Sequence, residues 1–262
     1  MESILKRIVA AKKEEMIRAK AGKPYGEILR EAEGCTRTSI SFKAALRNST
    51  TGVIAEFKRK SPSKGFIREG ARVRDIVPGY EAAGASAISV LTDSEFFGGS
   101  LDDLIETRRL VRIPVLRKDF IIDAYQVCEA KLAGADAVLL IASALTQEQC
   151  RELSSFADHL GLEVLLEIHC ADELAYVHEQ VDVVGVNNRN LNTFAVDIQT
   201  SLTLSAQIPD AFVKISESGI SSPATVKTLQ QSGFSGFLMG ENFMKQPHPA
   251  EALQQFLNAL HP

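Results

Sequence analysis

The sequence predicts an α/β fold, a (β/α)8 TIM barrel with an N-terminal helical extension. Three observations carry this. A short β-branched run, a polar turn and an amphipathic helical stretch recur in that order eight times; the run ends fall roughly every 20 to 35 residues; and 262 residues suffice to close one barrel around one large core. Strands alternating with helices imply parallel pairing through right-handed crossovers. Eight such units in this length favour closure over an open, doubly wound sheet.

The strand-like runs are residues 53–57, 87–91, 115–118, 137–141, 164–167, 183–187, 212–216 and 236–240. Between them, Asp123 and Gln126 open a helix that Gly134 closes. Thr146-Gln147-Glu148-Gln149 reads as a capping box, with Leu153, Phe156, Ala157 and Leu160 on one face and Gly161 as the stop. Ser222-Pro223 opens a helix ended by Gly233, with proline in the first turn, where it is tolerated. Upstream, Ile4, Ile8, Ala11 and Glu15 share helical spacing, and residues 25–29 continue the helical character. Residues 1–48 therefore read as a helical extension packed on the barrel of residues 49–262, one domain overall. Two roles fit the extension: a helix that plugs the barrel or caps its outside, or a lid over the substrate.

Composition narrows the function. The chain is 45% hydrophobic and 24% charged, and no stretch approaches the ~20 apolar residues needed to span a bilayer. The opening Met1-Glu2-Ser3-Ile4-Leu5-Lys6-Arg7 lacks the apolar core of an export signal, so a soluble, cytoplasmic protein without membrane partners is expected. Cys35, Cys128, Cys150 and Cys170 form no C-x-x-C pair and read as reduced thiols. Net charge is −4, yet residues 1–60 hold 14 Lys/Arg against 7 Asp/Glu. Because these cations are interspersed with acids and lack an aromatic stacking platform, a solvated helix face and an anion-binding mouth explain them better than nucleic acid. His159, His169, His178, His248 and His261 are scattered without metal-ligand spacing, and no dinucleotide or P-loop fingerprint occurs. Neither metal nor cofactor is expected. No apolar repeat settles assembly, so a monomer or weak homodimer is anticipated.

The charged residues cluster at strand ends. Glu56 and Lys58 lie two apart and share a side, opposite Ala55 and Phe57. Buried unpaired charges are costly, so both belong at a solvated mouth, the C-terminal one where barrel enzymes place their chemistry. Lys118, Glu167, Asn187 and Glu217-Ser218 end their own strands in the same way. Any one of them could be a surface ion pair, but five apolar strands ending on polar groups point to one catalytic pocket. His169 follows Glu167 by two and could share its face; a loop-capping role is preferred over a catalytic one. Ser218-Gly219-Ile220 and Met239-Gly240-Glu241-Asn242 follow runs seven and eight, where barrels often bind phosphate through backbone N–H groups.

These segments resemble a known family. Ile54-Ala55-Glu56-Phe57-Lys58-Arg59-Lys60-Ser61-Pro62-Ser63-Lys64-Gly65 is similar to the first-strand signature of indole-3-glycerol-phosphate synthases. Val115-Leu116-Arg117-Lys118-Asp119-Phe120-Ile121, Gly185-Val186-Asn187-Asn188-Arg189-Asn190-Leu191 and Ser216-Glu217-Ser218-Gly219-Ile220 resemble later segments, in order. The resemblance implies ring closure of 1-(2-carboxyphenylamino)-1-deoxyribulose 5-phosphate to indole-3-glycerol phosphate, with loss of carbon dioxide and water and no cofactor. It implies Lys118 as general acid; burial among other cations is expected to lower its pKa toward working pH. Glu167 and Glu56 would be acid/base carboxylates for dehydration, Lys58 and Asn187 would orient the reacting groups, and Glu217 and Ser218 complete the catalytic set. On the substrate side it implies Arg189 with Lys58 at the carboxylate and Phe97 and Phe120 as aromatic walls. Ser218, Gly219, Gly240 and the Glu241 backbone would take the phosphate, with Ser61, Leu139 and Leu191 as further contacts. Tryptophan is absent, which leaves any family contact through an N-terminal tryptophan replaced or missing. The chain stops at Pro262, so a single activity is expected.

Two other readings stay open. A Schiff-base aldolase would also want a desolvated lysine at a strand end. A non-catalytic barrel binding phosphorylated ligands would need the phosphate loops but has no use for Glu56, Lys58, Lys118 and Glu167 facing one another.

Overall fold

The computed structural model describes residues 3–191 and 193–260. Met1, Glu2, His261 and Pro262 of the sequence reading lie outside the described residues.

Three helices precede the barrel: α1 (Ile4–Gly22), α2 (Tyr25–Glu33) and α3 (Phe42–Arg47). Eight parallel strands then close on themselves in chain order: β1 (Val53–Phe57), β2 (Ala87–Leu91), β3 (Val115–Lys118), β4 (Ala137–Ile141), β5 (Glu163–Ile168), β6 (Val183–Asn187), β7 (Val213–Glu217) and β8 (Gly236–Met239), which returns to β1. The helices between them are α4 (Val73–Ala83), α5 (Leu101–Leu110), α6 (Ala124–Ala133), α7 (Gln147–His159), α8 (Gln199–Ser205) and α9 (Pro223–Gln231), and α10 (Glu241–Met244) and α11 (Pro249–Leu260) follow β8. After β1, Lys60–Ser61 and Gly65–Phe66 pair as a short antiparallel hairpin. The sequence reading placed no strands there.

The runs are almost wholly apolar because each strand is buried on both faces. Alternate side chains divide between two cores. Ala55, Phe57, Ile88 and Val90 pack outward against the helices, while Ile54, Ala87, Leu116, Leu139, Leu165 and Ile215 fill the interior. The expected caps form: Asp123 accepts from Tyr125 N, Ser222 from Thr225 N, and Thr146 with Gln149 completes the capping box. Strand seven runs one residue later than read, so Glu217 is its last residue, and Gly240 caps α10 rather than extending β8.

The extension reaches both ends of the barrel. Phe42 and Leu46 of α3 are fully buried and join the interior core; a side chain on Gly236, the first residue of β8, would meet Leu46, which places this plug at the barrel's N-terminal end. At the opposite end, Ile4, Leu5 and Ile8 of α1 line the pocket in the barrel mouth. The buried stripe of α1 is Ile8, Lys12 and Met16, one residue out of phase with the predicted Ala11 and Glu15.

Candidate active site

Strand register sets the site. Glu167 pairs across from Ile141 and Gly185, Asn187 from Glu217, and Lys118 from Leu91, so the polar side chains emerge at neighbouring levels of one mouth. Every residue assigned above to catalysis or substrate binding lines a single pocket there.

Glu56 is buried and faces inward, with Lys58 Nζ 2.5 Å from its Oε1. It needs a neighbour without a side chain, since a Cβ on Gly240 would stand 2.4 Å from Glu56 Oε1. Gly185 does the same for Glu217, whose Oε1 would lie 2.4 Å from an added Cβ. Both glycines are there for close approach rather than for turn geometry.

Lys118 sits between two carboxylates. Its Nζ donates to Glu167 Oε2 at 2.8 Å and lies 3.2 Å from Glu217 Oε2, while Asn187 Nδ2 donates to Glu167 Oε1 at 3.0 Å. This corrects the expected protonation of Lys118. Burial alone would lower its pKa, but its neighbours are Glu167, Glu217 and Glu56, not cations, and they hold it well above the ordinary lysine range. The two carboxylates are driven apart. Burial raises both; Lys118 and His169 outweigh it at Glu167 and hold that group below the usual carboxylate range. Glu217, which also faces the charge of Glu167, is pushed up to about 7. Such splitting separates a proton-holding acid from a permanent anion.

Phe97 and Phe120 form one wall, ring centroids 5.9 Å apart. At the other end are Ser218 and Gly219, both with positive φ, and Gly240 with Glu241. The Glu241 side chain is taken by Lys64 at 2.5 Å, leaving the backbone of this loop for a ligand. Arg189 borders the pocket and donates through Nη1 to Phe194 O at 3.2 Å. Ser61 Oγ and Glu217 Oε1 are buried without a hydrogen-bond partner.

Lys12 escaped the sequence reading, and His169 makes more contacts than a loop cap requires. Lys12 of α1, fully buried, reaches Asp93 Oδ2 and Asp119 Oδ1, each at 3.0 Å, and Asp119 continues to buried Arg117. A lysine inside the Ile8–Met16 stripe was the available signal. His169, read as capping a loop, also places Nε2 3.2 Å from Glu167 Oε1 and Nδ1 3.4 Å from Glu173 Oε2. Burial opposes its charge, but Glu167 and Glu173 together raise its pKa to about 10.

With this geometry in hand, comparison with known proteins is decisive. A family model described as indole-3-glycerol phosphate synthase matches residues 5–256. The chain belongs to the indole-3-glycerol phosphate synthase family. A relative of that name from Bacteroides thetaiotaomicron is 55% identical over 260 residues, covering 99% of this chain and 100% of the other. Another, from Azoarcus sp., is 44% identical, with 97% and 98% covered. The activity is accordingly that of indole-3-glycerol phosphate synthase, a carboxy-lyase. Solved structures of a tryptophan synthase complex from Pyrococcus furiosus (TM-score 0.60, 15% identity, 80% of this chain and 97% of that one) and of 3-hexulose-6-phosphate synthase from Salmonella typhimurium (0.60, 15%, 80% and 100%) share the barrel fold. No helix among the described residues is long and apolar enough to cross a membrane.

Proposed function

We propose that this pocket closes the ring of 1-(2-carboxyphenylamino)-1-deoxyribulose 5-phosphate with Lys118 as the general acid. What supports this above all is the ammonium of Lys118 held between Glu167 and Glu217 at the pocket floor. As the aromatic carbon attacks the ribulose carbonyl, oxygen gains charge, and a positioned ammonium both stabilises and protonates it. Carbon dioxide then leaves, returning its bonding electrons to the ring. Dehydration follows, with the hydroxyl departing as water and a carbon-bound proton passing to a carboxylate. Glu217, pushed up to about 7, suits the proton-holding role; Glu56 and Glu167, as anions, suit acceptance and charge balance.

Lys58 and Arg189 receive the substrate carboxylate, Phe97 and Phe120 flank its ring with Leu139 and Leu191 nearby, and Asn187 orients Glu167. Ser61, Ser218, Gly219, Gly240 and the backbone of Glu241 take the phosphate end, without metal or cofactor. The protein acts in the cytoplasm as a monomer or weak homodimer, with residues 1–48 and the barrel as one domain. Nucleic acid is no partner. Metal-free turnover followed by indole emission, with borohydride added in a parallel sample, tests the reading: emission without a trapped adduct is expected, whereas a reduced adduct on Lys118 would establish the Schiff-base alternative.

A further inference from the structure

The reaction consumes one proton per turnover. The carbonyl oxygen leaves as water and so gains two protons, one proton returns from carbon during dehydration, and the carboxylate departs as neutral carbon dioxide. If Lys118 supplies the first proton, its neutral amine must be recharged, with one proton per cycle drawn from solvent.

We propose that Glu173 and His169 carry this proton from a second cavity, through Glu167, to Lys118. This rests on the role of Lys118 proposed above. The cavity, about 900 Å3, lies between α1 and the loops after β5 and β6, and it shares Leu5, Asn187, Arg189 and Leu191 with the substrate pocket. His169 and Glu173 stand in its wall. From there the contacts are continuous: Glu173 Oε2 to His169 Nδ1 at 3.4 Å, Nε2 to Glu167 Oε1 at 3.2 Å, and Glu167 Oε2 to Lys118 Nζ at 2.8 Å. The backbone N–H of His169 also donates to Glu173 Oε2 at 2.6 Å, which fixes the two residues together. The 3.2 Å contact is an ion pair rather than an aligned hydrogen bond, so the imidazolium turns slightly to deliver its proton.

In the step itself, the Nε2–H bond breaks and Glu167 Oε1 takes the proton. The carboxyl then rotates and passes it to the Nζ lone pair; His169, left with its hydrogen on Nδ1, turns its ring over, so that the bare Nε2 faces Glu173 and takes a new proton from the cavity side while Nδ1–H faces Glu167. The surrounding carboxylates favour the charged forms of both His169 and Lys118, so Glu167, itself held as an anion, bears the proton only in passing between them. Other charges frame the path. Lys6 and Lys13 of α1 with Arg189 and Asp197 line the cavity, and Glu217 and Glu56 face Lys118 from across the barrel. An acid placed only to hold a loop would not need both ring nitrogens committed to carboxylates.

The test compares His169→Gln, Glu173→Gln and Lys118→Ala in dilute buffer, with indole emission as the readout and imidazole as the added proton donor. His169→Gln is expected to lose kcat by about tenfold or more, with KM little changed, and to regain it saturably with imidazole. Glu173→Gln should show a smaller, equally rescuable loss. Lys118→Ala should stay inactive with imidazole. Full activity of His169→Gln in dilute buffer, or a loss that imidazole leaves untouched, overturns the relay. Full activity of Lys118→Ala instead overturns the acid assignment beneath it.

Discussion

Replacing Lys12 with methionine removes the cation that α1 carries into the barrel mouth while keeping most of its apolar stem. Asp119 would keep Arg117 Nη2 at 3.2 Å and the Thr92 hydroxyl at 2.5 Å; Asp93 would keep only the backbone N–H groups of Phe96 and Phe97, at 2.7 and 3.2 Å. Removing one partner of a buried ion pair destabilises by roughly 3–5 kcal/mol, and the low end applies because Asp119 stays paired. Against this, the other buried side chains of α1 are Ile8 and Met16, which contribute about 1.5–3 kcal/mol each. The two magnitudes are comparable, so the loss should appear as local opening of α1 more than as global unfolding. About 3 kcal/mol corresponds to roughly a 100-fold rise in α1 amide exchange, and KM should rise several-fold with kcat less affected. Exchange monitored by mass spectrometry alongside steady-state kinetics measures both. Unchanged α1 protection and KM in a folded variant would refute the clasp and leave the apolar contacts as sufficient.

The same clasp has a pH window. Arg117 and Lys12 hold the pKa of Asp119 below its ordinary value despite burial, so its contribution is present above the unfolded value of about 3.9 and fades as pH falls through the lower folded one. Lys12 is raised by Asp119, Asp93 and Glu15 against its burial, so its contribution is complete below about 10.4 and fades only above it. Protection of α1 should be flat between about pH 4 and 10 and fall outside that range. Gly240→Ala, which would drive Glu56 from its position, should lower kcat by about tenfold or more with the melting temperature nearly unchanged. Gly185→Ala should act similarly through Glu217. Because anionic substrate favours protonated Glu217, KM should rise above pH 7, by up to about tenfold per unit, and Glu217→Gln should flatten that rise; a parallel rise in the variant would exclude Glu217 as its source.

Much of this was legible in the sequence because barrel strands leave few alternatives. A charged residue ending a strand buried on both faces must emerge at the mouth, so Glu56, Lys118, Glu167, Asn187 and Glu217 were placed together by alternation alone. Their electrostatics were not legible. Lys118 was expected among cations, but the register sets it between Glu167 and Glu217. Lys12 was missed because helical spacing admits neighbouring phases, and a lysine in an apolar stripe reads as a stem with its charge in solvent. Arg117 was passed over for the same reason: it points away from the pocket, into the helix layer, where only tertiary contacts with Glu129 and Asp119 explain it. The positions of the N-terminal helices were not legible because a plug and a mouth-side helix are both amphipathic, and only packing shows α3 at one end of the barrel and α1 at the other.

The most direct test of the central claim is single-turnover indole emission on mixing the protein with 1-(2-carboxyphenylamino)-1-deoxyribulose 5-phosphate, with Lys118→Ala beside it. The chain's lack of tryptophan keeps its own indole background low. Rapid emission in the parent, and a loss of at least ~100-fold in a variant that still binds substrate, is the expected result. A folded Lys118→Ala variant that forms product within a few-fold of the parent rate would contradict the assignment of Lys118 as the acid.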